Sequence, residues 1–411
     1  MQRRSFIASA AAATIAATTF PVSAQPLPRP AIELGDDVFL GSAWRDLGSK
    51  TVGIIANQSG VTSRLESIVD AIRHQGKVHV KAIFAPEHGL RGDRPAGAAV
   101  GSYVDPASGL PVYSLYGATR HPSAAMLAGI DVLLFDIQDV GSRAYTYIST
   151  MAYAMQAAKT YGKEFWVLDR PNPVGGTTIE GPVLEPAYES FIGLYPIAMR
   201  HGMTVGELAR LFNDRFGIGA NLRVVAMNGW RRSMIWPDTG LQWVATSPNI
   251  PEWSTTFVYL CTGLIDNAGI NNGTGFTKPF FLAGMAGVDG ARLAAALNAR
   301  DLPGVWFRPA AWEPIAGFWK GRDLTGVELA VFDPRRFLPV RTAVEILVAT
   351  RRLFPQVVRV KAQALDRDWG TSSLRRGLLA GSSADTIATG WNQSVAAFGT
   401  LRAKYLLYPI A

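Results

Sequence analysis

Short apolar runs alternate with helical patterns through the first half of the chain. Thr51–Ala56 is apolar and stops at Asn57-Gln58-Ser59-Gly60, Leu65–His74 repeats its apolar residues at helical spacing, and Val78–Phe84 is apolar again. The rhythm continues with a strand over Pro111–Tyr116, a helix over Thr119–Ala128, a strand over Asp131–Phe135, a helix over Tyr145–Tyr161 and a strand over Glu164–Leu168. Strands this uniformly apolar need cover on both faces, so the pattern predicts an α/β fold built on a mostly parallel sheet. Forward strands of such a sheet end on one edge, and the polar segments after Ala56, Phe84, Phe135 and Leu168 should converge there.

Further along, Thr204 reads as the cap of an amphipathic helix over Met203–Phe216, and Leu222–Ala226 as a strand. Ser247-Pro248-Asn249-Ile250-Pro251 is the strongest late punctuation, which divides the chain into a larger domain over 31–256 and a smaller α/β or α+β domain over 257–411. The smaller part carries helical patterns over Asp289–Ala299 and Ala343–Phe354, with strands near Val305 and Val327.

Residues 1–24 stand apart. Arg3-Arg4-Ser5-Phe6-Ile7, a short Ala/Thr-rich apolar stretch and small residues at Val22 and Ala24 predict a signal peptide of the twin-arginine type. The expected product is an exported, periplasmic protein that begins near Gln25, and no later apolar run has the length that stable membrane insertion requires. Cys261 is the single cysteine, which excludes an internal disulfide and a multi-cysteine metal site. The net charge of +8 falls to +6 without Arg3 and Arg4 and forms no long basic block. That argues against nucleic acid as a partner and for general attraction to anionic envelope material.

Candidate chemistry concentrates in Phe84-Ala-Pro-Glu-His-Gly-Leu-Arg-Gly-Asp93, at the end of an apolar strand. Glu87 is the first choice for a general acid, with His88 and Arg91 as substrate contacts. Asn57 and Gln58 follow the first strand. Asp136, Gln138 and Asp139 follow another, where acidic residues also serve as helix caps. Asp169, Arg170 and Asn172 lie between prolines in a stiffened turn. Arg143 and Arg170 suit a two-pronged contact to a substrate carboxylate or, equally, an internal salt bridge with Asp136 or Asp169. Trp230, Trp236, Trp243 and Trp253 are core residues or sugar-stacking platforms. No serine-hydrolase elbow, phosphate-binding loop or metal-ligand spacing occurs, so no cofactor or metal is expected.

These segments, together with Gly53–Thr62, Phe135–Arg143, Tyr145–Thr150, Leu168–Pro173, Glu180-Gly-Pro182 and His201–Leu208, resemble the exo-β-N-acetylmuramidases of the NamZ/YbbC-like type. The resemblance implies a Rossmann-like catalytic domain, a smaller auxiliary domain and a cleft between them. It implies release of N-acetylmuramic acid from the non-reducing end of peptidoglycan fragments, with Glu87 leading the chemistry. Asp136, Asp139, Asp169 or Glu180 would be its partner, unless the substrate's acetamide serves as nucleophile. A non-catalytic muropeptide-binding protein is the competing class. The family pattern carries Glu-Gly-Thr-Asn and then Ser-Glu-Gly-Arg-Gly-Thr after a Phe-Val-Tyr strand. This chain has Asp266-Asn-Ala-Gly269 and Asn271-Asn-Gly-Thr-Gly-Phe276, so a carboxylate and an arginine are absent from the auxiliary side.

Overall fold

The computed structural model describes residues 30–411, and the leader expected over residues 1–24 lies outside the described residues. A central sheet is built from β1 (Thr51–Ala56), β2 (His79–Ala85), β3 (Tyr103–Val104), β4 (Pro111–Ser114), β5 (Val132–Asp136) and β6 (Glu164–Leu168). A hairpin of β7 (Glu180–Val183) and β8 (Ala198–Arg200) follows, then β9 (Asn221–Val225), which completes the sheet. The order across it is β3-β4-β2-β1-β5-β6-β9, with every pairing parallel except β3 to β4. The parallel strands therefore run in the Rossmann order, and the chain reverses direction across the sheet at β1. A ligand site belongs beside that reversal, at the carboxyl ends of the strands.

Side chains alternate across each strand, which sorts the core into two faces. Val52, Ile54 and Leu134 pack on one face with Phe39 of α1 (Gly35–Gly41) and Ile72 of α2 (Ile68–Gln75). Ile55, Leu133 and Phe135 pack on the other with Met151 of α3 (Tyr147–Thr160) and Leu208 of α4 (Val205–Asp214). The Thr204 cap is present. Its hydroxyl accepts from the Glu207 N–H at 3.2 Å, and the Glu207 carboxylate accepts from the Thr204 N–H at 3.0 Å.

The smaller domain opens with α5 (Ser254–Thr262). It then builds an antiparallel sheet from β10 (Leu282–Met285), β11 (Val305–Trp312) and β12 (Leu324–Val331), ordered β10-β12-β11. Helices α6 (Gly290–Asn298) and α7 (Pro339–Leu353) close a core that holds Leu293, Val327, Val344 and Leu347. Helix α8 (Ala362–Trp369) follows, then α9 (Ser373–Leu379), α10 (Ala384–Thr389) and α11 (Asn392–Arg402). The chain's end returns to the first core: Phe398 and Tyr405 pack there, and the Tyr408 hydroxyl donates to Asp169 at 2.6 Å.

Two expectations are corrected. Thr119–Ala128 is a run of bends and turns rather than a helix, because Pro122 supplies no amide hydrogen and the turn from Ser123 to Leu127 is not extended. Phe257-Val258-Tyr259 lies inside α5 rather than in a strand. A short apolar run carries no periodicity that separates the two states. The tryptophans belong to cores: Trp230 and Trp236 are buried, and Trp243 packs edge-on against Trp236 with ring centres 4.8 Å apart. Among the described residues no helix is long and apolar enough to cross a membrane.

Candidate active site

A cleft of about 480 Å³ opens beyond the carboxyl ends of β2 and β5, beside the strand reversal. That size suits a small ligand such as one or two sugar rings. Glu87 and His88 enter it directly from β2, and Ala144–Tyr147 from the segment that leads into α3. Tyr116 and Arg120 come from beyond β4, Ser190–Ile192 from the loop between β7 and β8, and Asn249 and Ile250 from the chain before α5. Tyr259, Phe280 and Arg367 complete the wall from the smaller domain.

Glu87 is 8% exposed and is held on both oxygens. The Thr146 hydroxyl donates to Oε2 at 2.8 Å, and the Gly97 N–H donates to Oε1 at 2.9 Å. The long loop after β2 thus folds back to fix its own carboxylate. His88 is buried and sits at φ 70°, in the left-handed region that a non-glycine residue seldom adopts. Its Nδ1 lies 2.7 Å from the Arg94 carbonyl, which can only accept, so Nδ1 carries the hydrogen. Phe280, also in the cleft wall, is another left-handed residue at φ 66°. Strained backbone of this kind gathers where the surrounding structure must aim a side chain.

The floor is aromatic and hydroxylated. The Tyr145 hydroxyl donates to Thr246 Oγ1 at 2.7 Å, the Tyr147 hydroxyl donates to the Thr246 carbonyl, and Tyr259 meets Tyr145 edge-on at 5.7 Å. Burial pushes the phenols of Tyr145, Tyr147 and Tyr259 up, so all three are neutral hydrogen-bonding groups near pH 7. The Arg120 guanidinium lies 4.0 Å over the Phe191 ring and 5.3 Å over Tyr116.

Of the residues singled out in the sequence, Glu87, His88 and Tyr145 line this cleft, and the others are engaged by partners elsewhere in the protein. Asp136 is fully buried and receives Arg170 through Nε at 2.5 Å and Nη2 at 2.9 Å, while Arg170 Nη2 also reaches Asp36 at 2.6 Å. Asp169 accepts from the Gly206 N–H, the Thr204 hydroxyl and the Tyr408 hydroxyl, which ties β6 to the start of α4. Burial raises its carboxyl to about 6. Neither aspartate is placed to act as partner to Glu87, and neither arginine is free for a substrate. Arg143 is buried and donates to the carbonyls of Pro182, Ile197, Asp368 and Trp369.

The remaining candidates stitch the sheet-edge loops together. Asn57 accepts from the Ser59 N–H and hydroxyl, and Gln58 donates to the carbonyls of Ala245 and Thr246. Arg91 pairs with Asp105 at 2.7 Å rather than facing the cleft. Gln138 donates to the carbonyls of Asp139 and Pro171, and Asn172 to that of Met203. Asp139 accepts from the Gly141 N–H and lies 3.4 Å from His201 Nε2. The altered 266–276 loop is equally structural: Asn271 accepts from the Trp312 indole at 2.9 Å, and Asn272 donates to the Thr262 carbonyl at 3.1 Å.

Glu180 is an interdomain joint rather than a cleft residue. Its Oε1 accepts from the Arg341 N–H at the start of α7, at 2.6 Å, and burial raises its carboxyl to about 7 against a weaker opposing pull from Arg200. A carboxyl raised on folding contributes stability that is complete below its unfolded value and is lost as pH rises through the folded value. Wild type should therefore lose up to roughly 3 kcal/mol from this group between pH 4.5 and about 8, since each tenfold difference in proton affinity between folded and unfolded chains is worth about 1.4 kcal/mol. Glu180→Gln should flatten that part of the profile in urea melts taken across the range. An unchanged slope would remove Glu180 as its cause.

Sequence reading missed Tyr116, Arg120, Phe191, Asn249, Phe280 and Arg367. Thr146 alone had a signal, since it sits between Tyr145 and Tyr147 in a motif already singled out.

Comparison with known proteins extends over nearly the whole described chain. Residues 52–254 match the family model for the N-terminal domain of exo-β-N-acetylmuramidase NamZ, and residues 257–408 match the model for its C-terminal domain. Peptidoglycan β-N-acetylmuramidase NamZ of Bacillus subtilis (strain 168) is 45% identical over 385 residues, which cover 93% of each chain. A crystal structure of a DUF1343 family protein from Bacteroides fragilis NCTC 9343 superposes with a TM-score of 0.87 at 38% identity, covering 93% of this chain and 100% of that one. A second DUF1343 protein of that bacterium shares the fold, with a TM-score of 0.74 at 24% identity over 92% of this chain and 99% of its own.

Proposed function

The chain belongs to the exo-β-N-acetylmuramidase NamZ family, and from that premise we propose that it hydrolyses the β-glycosidic bond of a non-reducing-end N-acetylmuramic acid in peptidoglycan fragments. The observation that carries the chemistry is Glu87, the one carboxylate among the described residues that line the cleft. Each Glu87 oxygen accepts one protein donor, which leaves the carboxyl free to carry and give a proton toward the cleft.

In this reading Glu87 gives its proton to the glycosidic oxygen as the bond from the anomeric carbon breaks. Among the described residues no second carboxylate lines the cleft to serve as nucleophile or base. That favours attack by the sugar's own acetamide oxygen, which forms a cyclic intermediate on the same ring. Water then opens the ring, Glu87 takes the water's proton, and the β configuration is retained. The neutral tyrosines line the ring without adding charge: Tyr145 and Tyr147 spend their hydrogens on Thr246 and offer acceptor oxygens, and the Tyr259 hydroxyl keeps its hydrogen for the substrate.

The test is hydrolysis of a β-N-acetylmuraminide by purified protein, with proton NMR of the first-formed anomer. Release of β-N-acetylmuramic acid is expected. The α anomer would overturn the acetamide route, and a folded protein without turnover would overturn the enzyme reading. Periplasmic location belongs to the same proposal and rests on residues 1–24 together with a wall-derived substrate. Recovery of the protein in the cytoplasmic fraction alone would count against it.

A further inference from the structure

We propose that Arg367, contributed by the smaller domain, selects the anionic sugar by binding the carboxylate of its 3-O-lactyl group. This rests on the muramidase reading and identifies the group that would tell a muraminide from a glucosaminide, which differ by that lactyl ether.

Two arginines line the cleft, and their surroundings differ. The face of Arg120 is covered by Phe191 and Tyr116, which makes it part of an aromatic wall. Among the described residues, the Arg367 side chain has no ion-pair partner, no hydrogen-bond acceptor and no aromatic ring beneath it. The residue is exposed, and the backbone that carries it is held because it lies in the last turn of α8, whose final carbonyls have no partner within the helix. Arg143 supplies donors to two of these carbonyls, reaching Trp369 at 2.8 Å and Asp368 at 3.4 Å from the larger domain. Gly370 then turns the chain at φ 70°, and a Cβ there would lie 2.8 Å from Arg143 Nη2. The close approach of Arg143 requires glycine at that point.

The buried arginine expected to meet a carboxylate thus anchors the helix end that presents another arginine to the cleft. A guanidinium offers a planar fork that matches a carboxylate, and a hydrogen bond to a charged group is worth more than a neutral one. The electrostatic contrast is also favourable, since Glu87 is the only acidic side chain among the described residues of the wall.

The experiment compares a chromogenic β-N-acetylmuraminide with its neutral lactyl methyl ester, using wild type, Arg367→Ala, Arg367→Lys and Arg120→Ala. Wild type should prefer the free acid in kcat/KM. Arg367→Ala should lose about 10–100-fold on the acid with little change on the ester, and Arg367→Lys should recover part of the loss. Equal loss on both substrates would mean structural damage and overturn the assignment. Acid preference that survives Arg367→Ala but disappears in Arg120→Ala would move the role to Arg120. A wild type that hydrolyses neither substrate would overturn the muramidase reading itself, a result distinct from both.

Discussion

Glu87→Gln should lower hydrolysis of a muramic disaccharide by about 10³-fold, within the 10²–10⁴ range of a positioned general acid or base, while the protein stays folded. The amide keeps an oxygen to accept from Thr146 or from the Gly97 N–H, so one neutral hydrogen bond is lost at a cost of about 1 kcal/mol. The role has its own signature. A sugar leaving group needs a proton, whereas a nitrophenolate leaves without one, so the loss should be far smaller on the nitrophenyl muraminide. Equal losses on both leaving groups would assign Glu87 to positioning rather than proton donation. Unchanged turnover would remove it from the mechanism.

Arg170→Met should destabilise the fold severely, by about 3–5 kcal/mol in a denaturant melt. Arg170 is 3% exposed and joins three chain segments: β5 through Asp136, α1 through Asp36, and the loop after β1 through the Val61 carbonyl. Burial pushes the carboxyls of Asp36 and Asp136 up, Asp36 the more strongly, and both face the single Arg170 guanidinium that draws them back down. Removing the cation leaves a buried carboxylate unpaired, and the wall beneath the strand reversal loses its tie. Pairing Arg170→Met with Asp136→Asn should recover part of the loss, because the uncompensated charge is gone. A variant that melts like wild type but binds the muraminide weakly would return Arg170 to the substrate.

Arg143 and Arg170, both buried, show why charge type alone misleads. Arg143 and Arg170 stand in polar loops at the right edge of the sheet, which is all that local sequence reports. Their partners lie far away in the chain: Arg143 binds carbonyls at 368 and 369, and Arg170 binds an aspartate at 36. A polar segment that converges with three others finds most of its hydrogen-bonding partners among them, since buried polar groups must be satisfied. Gln138 follows the same rule, donating to the Pro171 carbonyl in the segment after β6.

By itself the sequence determined the parallel strands of the large sheet, the helices α2, α3, α4, α6 and α7, and the position of Glu87. Those depend on local periodicity and on one topological regularity, that consecutive parallel strands deliver their following residues to a common edge. Glu87 lies two residues beyond β2 and could hardly be elsewhere. The tertiary structure alone decided which polar residues face a ligand. The opposite wall comes from Phe191, Asn249, Phe280 and Arg367, whose chain neighbourhoods share no motif and meet only when the smaller domain closes over the sheet edge. Side-chain direction at that wall depends on packing between distant segments, and no local spacing encodes it.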